Sequence, residues 1–448
     1  MILQESNESH LPRKEEKYLK RNLPGSHKLE WDARGNVSAA IVVPALCEYE
    51  NIKKLLESLV LNSPAQFDEI LTIIIVNNTL SAATEIKEDN AKAIKLLKSI
   101  IAGEKNDDAF VNIVIDSGLR LGLIDASSKG LELPDKDGGV GLARKTGMDI
   151  ALSVLDAKGV NNLLVCLDAD CTVSQNYFEE IIKLTRDHSF HAGEFCFAHP
   201  LDEPETQKAI ICYEIFLHYY VAALKTTGSY YAFHTIGSTM LCSAEAYIKC
   251  GGMNKRKAAE DFYFMEKLAK NYPVRQINSA SVFPAPRTSF RVPFGTGQRV
   301  RRFMSEVQNE YVLYSIKSFE VLKAWLKVFD TPEILPAKDY LKKAKDIDPC
   351  LYDFLADNNF NEEWERIIKN SKQQEQVQKQ KIFWFDGFKT LKLIHYLRDK
   401  KFPPESMFDC LDELFRKMNV SVKIKRDEQI PPVETQKEFL AILKTLSV

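Results

Sequence analysis

One pattern constrains this chain more than any other. The apolar run Leu163-Leu164-Val165-Cys166-Leu167 leads the backbone straight into Asp168-Ala169-Asp170. Five apolar residues that stop at two carboxylates read as a strand buried on both faces, emerging at the edge of a core. Similar runs precede it: 39–44 stops at Pro44, 70–76 at Asn77-Asn78, and 111–115 at Asp116-Ser117-Gly118. Helical spacing lies between them. Ile52, Leu55, Leu56 and Leu59 share one face of 50–61, and further helices are expected over 91–101 and 140–155. Strands alternating with helices predict an α/β fold, a mixed and mainly parallel sheet flanked by helices.

The pattern continues with a helix over 175–185, a strand over 194–198 and an aromatic-rich helix over 210–224. After residue 302 strand signals fade and apolar residues recur at helical intervals, as in Leu322, Trp325 and Phe329. The expected organisation is a polar lead-in over 1–37, an α/β domain over 38–303 and a mostly helical region over 304–448. Within the latter, the Gln- and Lys-rich stretch 371–381 reads as a solvated helix or linker.

Composition narrows the function classes. Sixty Lys and Arg against 62 Asp and Glu leave a formal charge of −2, which offers no general attraction to nucleic acid. No nucleic-acid partner is expected. Residues 1–16 are polar, without the apolar run of a secretory signal. The apolar stretch 209–224 is interrupted by Glu214 and His218 and falls short of the ~20 residues that span a bilayer. Nine scattered cysteines without a CxxC fit a reducing compartment better than a disulfide scaffold. These features predict a cytoplasmic protein. Ile382-Phe383-Trp384-Phe385 with Lys389, Lys392 and Arg398 combines apolar and basic character, so the C-terminal helices are the candidate peripheral membrane contact; core packing is the commoner use of such a stripe.

Three groups of residues have chemical potential. In open α/β sheets ligands bind beyond the carboxyl ends of the strands. There, Asp168 and Asp170 at i and i+2 can hold a hard divalent cation and leave positions for a diphosphate. A helix cap is the plainer use of such a pair. Glu260-Asp261 is the second group; it opens an apolar helical segment and would otherwise serve as a cap and dipole partner. The third is a basic cluster around Gly295-Thr296-Gly297, with Arg287, Arg291, Arg299, Arg301 and Arg302, whose guanidinium forks suit phosphate. Of the histidines, His234, just before Gly237-Ser238, is the candidate for a functional role; His199 and His218 read as structural. Gly139-Val140-Gly141 lacks the strand and spacing of a dinucleotide fingerprint, and Gly141 to Gly147 lacks the P-loop lysine after its glycine.

Taken in order, these motifs resemble the family 2 nucleotide-sugar glycosyltransferases with the GT-A fold. Val43-Pro44-Ala45-Leu46-Cys47-Glu48 is similar to that family's first-strand signature, Gly141-Leu142-Ala143-Arg144 to its Gly-x-Ala-Arg helix start, and Asp168-Ala169-Asp170 to its metal-binding DxD triplet. Gly251-Gly252 followed by Glu260-Asp261 resembles its acceptor-side motif, and 298–303 is a looser relative of its Gln-x-x-Arg-Trp motif, without the Trp. The resemblance covers 38–303. Asn77-Asn78 stands where the family has acidic residues, a departure that bears on base selectivity.

The resemblance implies an inverting, metal-dependent transferase that moves a sugar from a nucleoside-diphosphate donor, with UDP as the family's usual nucleotide, to an acceptor hydroxyl. Mg²⁺ or Mn²⁺ would be held chiefly by Asp170, with Asp168. Pro44, Ala45, Glu48, Asn77, Arg144, Asp168 and Arg301 would line the donor site. Asp261 would be the catalytic base, ionised beside the metal, with Glu260, His234 and Gly237 on the acceptor side. Arg291, Arg301 and Arg302 are the arginines that could close over the leaving diphosphate. Two alternatives stand beside this reading: a retaining transferase of the same fold, which His234 would serve as an extra metal ligand, and a non-catalytic binding protein that has kept the fold. A sugar-nucleotide pyrophosphorylase is disfavoured, because that family has a glycine-rich loop where this chain has Ala45-Leu46-Cys47-Glu48.

Overall fold

The computed structural model describes residues 13–23, 25–287, 295–422, 424 and 426–447. They divide into two compact units, one formed by 1–200 with 235–285, the other by 201–234 with 286–448. The segment 201–234, expected inside the α/β domain, thus belongs with the C-terminal helices, while part of the expected lead-in joins the sheet.

The first unit is built on a nine-stranded sheet: β1 (Leu29–Trp31), β2 (Ala39–Ala45), β3 (Ile70–Asn77), β4 (Leu121–Ala126), β5 (Leu163–Cys166), β6 (Cys171–Val173), β7 (Ala192–Phe197), β8 (Met240–Ser243) and β9 (Val274–Pro284), in the order β1-β4-β3-β2-β5-β8-β7-β9-β6. The central four, β4-β3-β2-β5, run parallel, while β8 pairs antiparallel with both β5 and β7. Its helices are α1 (Arg13–Asn22), α2 (Tyr49–Val60), α3 (Thr84–Ala102), α4 (Ala109–Ser117), α5 (Val140–Leu152) and α6 (Tyr177–Thr185), then α8 (Ala244–Lys249) and α9 (Glu260–Ala269) after the second unit's α7 (Pro204–Thr227). The β-branched runs of β2 and β3 are buried along almost their whole length, as a strand covered on both faces requires. Register fixes the edge that matters. Pro44 and Ala45 lie beside Ile75 and Val76, and Val42 lies beside Cys166, so Ala45, Asn77 and Asp168 emerge at one end of the sheet.

The helix α5 is buried on nearly every side, which explains its lack of a polar face. Gly147 permits this. A Cβ there would come within 2.6 Å of Val42 and 2.5 Å of Ile75 side-chain carbons on the strands beneath. On the other side α1 reaches it through Tyr18, whose hydroxyl donates to Asp149 (2.8 Å); Tyr247 donates to the same oxygen (2.7 Å) and Lys145 to its neighbour (2.8 Å).

One expected strand is a helix. Residues 111–115 lie in α4, because Asp108 caps it by accepting from the Phe110 amide (3.0 Å) and Gly118, at φ +78°, ends it. Only Val111 and Val114, one turn apart, are fully buried, so end signals and one-sided burial override β-branched propensity. The strand of that βαβ unit is β4, five residues further on. The pattern also missed β8, α8 and β9, short or irregular elements without a long apolar run.

In the second unit, α7 is joined by α10 (Thr296–Met304), α11 (Ile316–Phe329) and seven further helices over 337–447, with a two-residue ribbon pairing Val312–Leu313 and Glu405–Ser406. Its core is strongly aromatic: Trp325, Phe329, Tyr340, Phe360, Trp364, Trp384 and Phe385 pack mutually. Trp384 and Phe385, expected in an interfacial stripe, are therefore core residues. The Gln/Lys stretch forms a helix over Gln374–Trp384 whose Lys381 is buried, donating to the Thr331 and Glu333 carbonyls at 2.8 Å. Among the described residues no helix is long and apolar enough to cross a membrane, and all nine cysteines are free thiols.

Candidate functional site

The carboxyl ends of β2, β3 and β4 are followed by loops tied to one side chain. Asn90, from α3, accepts from the Cys47 amide (2.9 Å) and donates to the Asn77 carbonyl (3.0 Å), Asn78 Oδ1 (3.0 Å) and Ser127 Oγ (3.1 Å). One buried amide thus fixes three loops. The turn after β2 is sharp, with Cys47 at φ +55°, and it sets Glu48 in a buried position beside Asn51. Asn77 ends β3 buried, and its Oδ1 has no hydrogen-bond partner among the described residues.

The centre of the site is Arg144. It lies in the first turns of α5, 1% exposed, and donates to Asp168 Oδ1 at 2.5 Å and to Glu260 Oε1. Three segments far apart in sequence, the Gly-x-Ala-Arg helix start, the DxD triplet and the Glu-Asp pair, meet at this one guanidinium. Space is made by glycines. A Cβ at Gly237 would lie 2.9 Å from an Arg144 nitrogen, and one at Gly141 would lie 2.2 Å from the Arg256 carbonyl oxygen and 3.1 Å from Glu260 Cβ. Ala259, at φ +59°, turns the chain so that Glu260 and Asp261 open α9, an unusual conformation for a residue with a Cβ. Asn254 holds that turn by donating to the Glu260 carbonyl (2.8 Å).

Electrostatics differentiate the carboxylates. Burial opposes charge on Arg144, but Asp168 and Glu260 outweigh it and raise its pKa above the ordinary value. Loss of solvent raises Asp168, and Arg144 offsets part of that. Asp261 has no such direct partner. Desolvation, with the neighbouring Glu260 charge second, pushes it up to about 7, although Arg144 and the Phe262 amide (2.7 Å) favour its ionised form. Without a bound cation, burial first and the neighbouring acids second make Asp261 the hardest of these carboxylates to ionise; a cation beside it would act in the opposite direction.

Pro44, Ala45, Glu48, Asn77, Arg144, Asp168, Asp170, Gly237, Glu260 and Asp261 all lie in the first unit. Direct contacts join Arg144, Asp168, Glu260 and Gly237. Arg301 and His234 belong to the second unit, where His234 packs edge-on to His218 with centroids 4.8 Å apart, and burial lowers its pKa. Arg302 and Arg299 bind the buried Glu310 in that unit (2.7 Å each), so Arg302, one of the three candidates for the diphosphate, is held by a carboxylate in this structure. Arg291 lies outside the described residues. Sequence reasoning missed Asn90, Ser127 and Asp149; each is a single polar residue whose importance comes only from long-range contacts.

Among the described residues, no three metal-ligating side chains converge. Asp168 and Asp170 flank Ala169 at the end of β5, and a hard cation bound by one or two carboxylates with phosphate oxygens completing its shell suits that donor set.

No protein-family model and no curated protein matches the chain. Solved structures do resemble it. S. aureus TarS 1–349 in complex with UDP-GlcNAc aligns at 10% identity over 78% of this chain and 91% of its own, with a TM-score of 0.39. The mannosyltransferase PcManGT from Pyrobaculum calidifontis, in complex with GDP-Man and Mn²⁺, aligns at 13% identity over 86% and 92%, with a TM-score of 0.35. Both scores lie below 0.5, so these likenesses decide nothing about activity.

Proposed function

We propose that the chain is a metal-dependent glycosyltransferase of the GT-A type that takes a sugar from a nucleoside-diphosphate donor and inverts its anomeric carbon. The observation that carries this reading is the meeting of three separate motifs at Arg144, beyond the carboxyl ends of a parallel sheet. Mg²⁺ or Mn²⁺ would be held by Asp170 and the remaining oxygen capacity of Asp168. Bound there, the ion would offset the negative charge that develops on the departing diphosphate. Arg144 favours the ionised form of Asp168 and would orient it for the ion and the ribose. Asp261 acts as general base: it takes the proton of the acceptor hydroxyl while that oxygen bonds to the anomeric carbon and the bond to the diphosphate breaks on the opposite face.

Asn77 addresses the donor base. Its Oδ1 is buried without a partner among the described residues, and would accept the imide N–H of uracil, thymine or guanine once the side chain turned toward the donor. Cytosine presents an acceptor at the equivalent ring nitrogen and is disfavoured.

The test is turnover. The full chain, given UDP- and GDP-sugars with Mn²⁺ and a panel of acceptors, should release nucleoside diphosphate and lose that release on chelation or in Asp261→Asn. Release that persists undiminished in Asp261→Asn would overturn the assignment of the base.

A further inference from the structure

Beside the acidic pair runs a loop of opposite charge. Lys255, Arg256 and Lys257, between α8 and α9, are exposed, and Lys136 is exposed on the facing loop. None of the four makes an ion pair among the described residues, in a chain whose net charge is −2. The loop is held firmly. The Asn254 side chain bonds the Glu260 carbonyl (2.8 Å) and the Arg256 amide (3.1 Å), the Arg256 guanidinium lies 3.8 Å from the Tyr263 ring centroid, and Lys257 donates to the Asp135 carbonyl (2.8 Å). Gly139 and Gly141 accept its backbone where a Cβ would meet Lys257 Cα at 3.2 Å and the Arg256 carbonyl at 2.2 Å. Two carboxylates share this rim, Asp135 and Asp137; Asp135 accepts from the Ser81 amide (3.0 Å) and hydroxyl (2.7 Å), and the Lys257 charge also acts on it. Four cations without an ion pair among the described residues, three of them four to six residues before Asp261 in the chain, form a seat for negative charge at the mouth of the site.

We propose that the acceptor is anionic. Its phosphate or carboxylate groups would sit on Lys255, Arg256, Lys257 and Lys136, which would bring a neighbouring hydroxyl to Asp261. This rests on the transferase reading above. The two anion chemistries are separable by experiment.

The full chain and a variant carrying Lys255→Glu, Arg256→Glu and Lys257→Glu are titrated by calorimetry with three probes: tripolyphosphate, oligogalacturonate and neutral dextran. In parallel, UDP and GDP with Mn²⁺ are titrated by thermal shift. The expected result is binding of one or both anionic probes, weakened by added salt, at least tenfold weaker in the variant and absent for dextran, with the nucleotide shift retained in both proteins. The stronger of the two anionic probes identifies phosphate or carboxylate as the source. Anion binding unchanged in the variant, or dextran binding equal to the anions, would overturn the proposal. So would joint loss of anion binding and nucleotide shift, because the loop would then serve the donor's diphosphate. Failure of the transferase reading looks different: no nucleotide shifts even the unaltered protein, whatever the anions do.

Discussion

Two arginines, each 1% exposed, stand at opposite ends of the same sheet and are used in opposite ways. Arg120, just before β4, donates to the backbone carbonyls of Arg34, Asn36 (3.4 Å) and Asp68 (2.5 Å), and lies 3.8 Å from Asp32. Burial lowers its pKa, and Asp32 offsets this only in part. Arg144, at the carboxyl end, donates to two side-chain carboxylates, and its pKa is raised. Carbonyls cannot change charge, so Arg120 is a fastener between loops. Carboxylates can change both charge and partner, so Arg144 sits where a ligand's charge could alter the balance.

Removing each arginine should separate these roles. In Arg144→Met, Glu260 is left as a buried, unpaired charge, a loss of about 4 kcal/mol, read by urea unfolding. The nucleotide response should disappear with it. Arg120→Met should lower stability by about 3 kcal/mol through its orphaned carbonyls, with the nucleotide-induced thermal shift kept. Loss of that shift in Arg120→Met would break the contrast.

The acidic side of the comparison can be sharpened next. Asp261→Asn should lower transfer by about 10²–10⁴-fold while nucleotide binding stays. With burial pushing Asp261 up to about 7, its proposed role as the base predicts that kcat/KM rises about tenfold per pH unit below 7 and levels off above it. A flat profile between pH 5.5 and 8 would remove Asp261 from the proton transfer.

The smallest effect concerns the back of α5. Tyr18→Phe removes one of two hydroxyls bonded to Asp149 and should destabilise by about 1 kcal/mol, measured by urea unfolding. A loss as large as that of Arg144→Met would mean that α1 matters to the site as much as the carboxylates do.

Much of this arrangement is legible along the chain, and the reason is physical. β2, β3 and β5 are buried on both faces, so their sequences are unbroken apolar runs, and the polar residues that stop them mark the edge where ligands bind. The spacing of 111–115 is misleading because four β-branched residues among five, interrupted only by Asn112, suit a strand until Asp108 and Gly118 are seen to cap them as a helix. The single partners were illegible. Nothing near Asn90 indicates that it joins three loops, and nothing near Tyr18 indicates that it reaches Asp149, 131 residues away. The acidic pair Glu260-Asp261 could be found by resemblance, but the rise of Asp261 could not, because it follows first from burial and then from the neighbouring Glu260 charge, both set by the fold.

The most direct test of the central claim is a thermal-shift titration of the full chain with UDP, GDP, dTDP and CDP, each with and without Mn²⁺. A ligand that binds only the native state stabilises it by about 2.7 kcal/mol at a hundredfold excess over Kd, a shift that is readily seen. The account predicts a Mn²⁺-dependent shift for at least one of UDP, GDP and dTDP, none for CDP, and loss of the shift in Asp170→Asn. No shift with any nucleotide, or one that survives both chelation and Asp170→Asn, would contradict it.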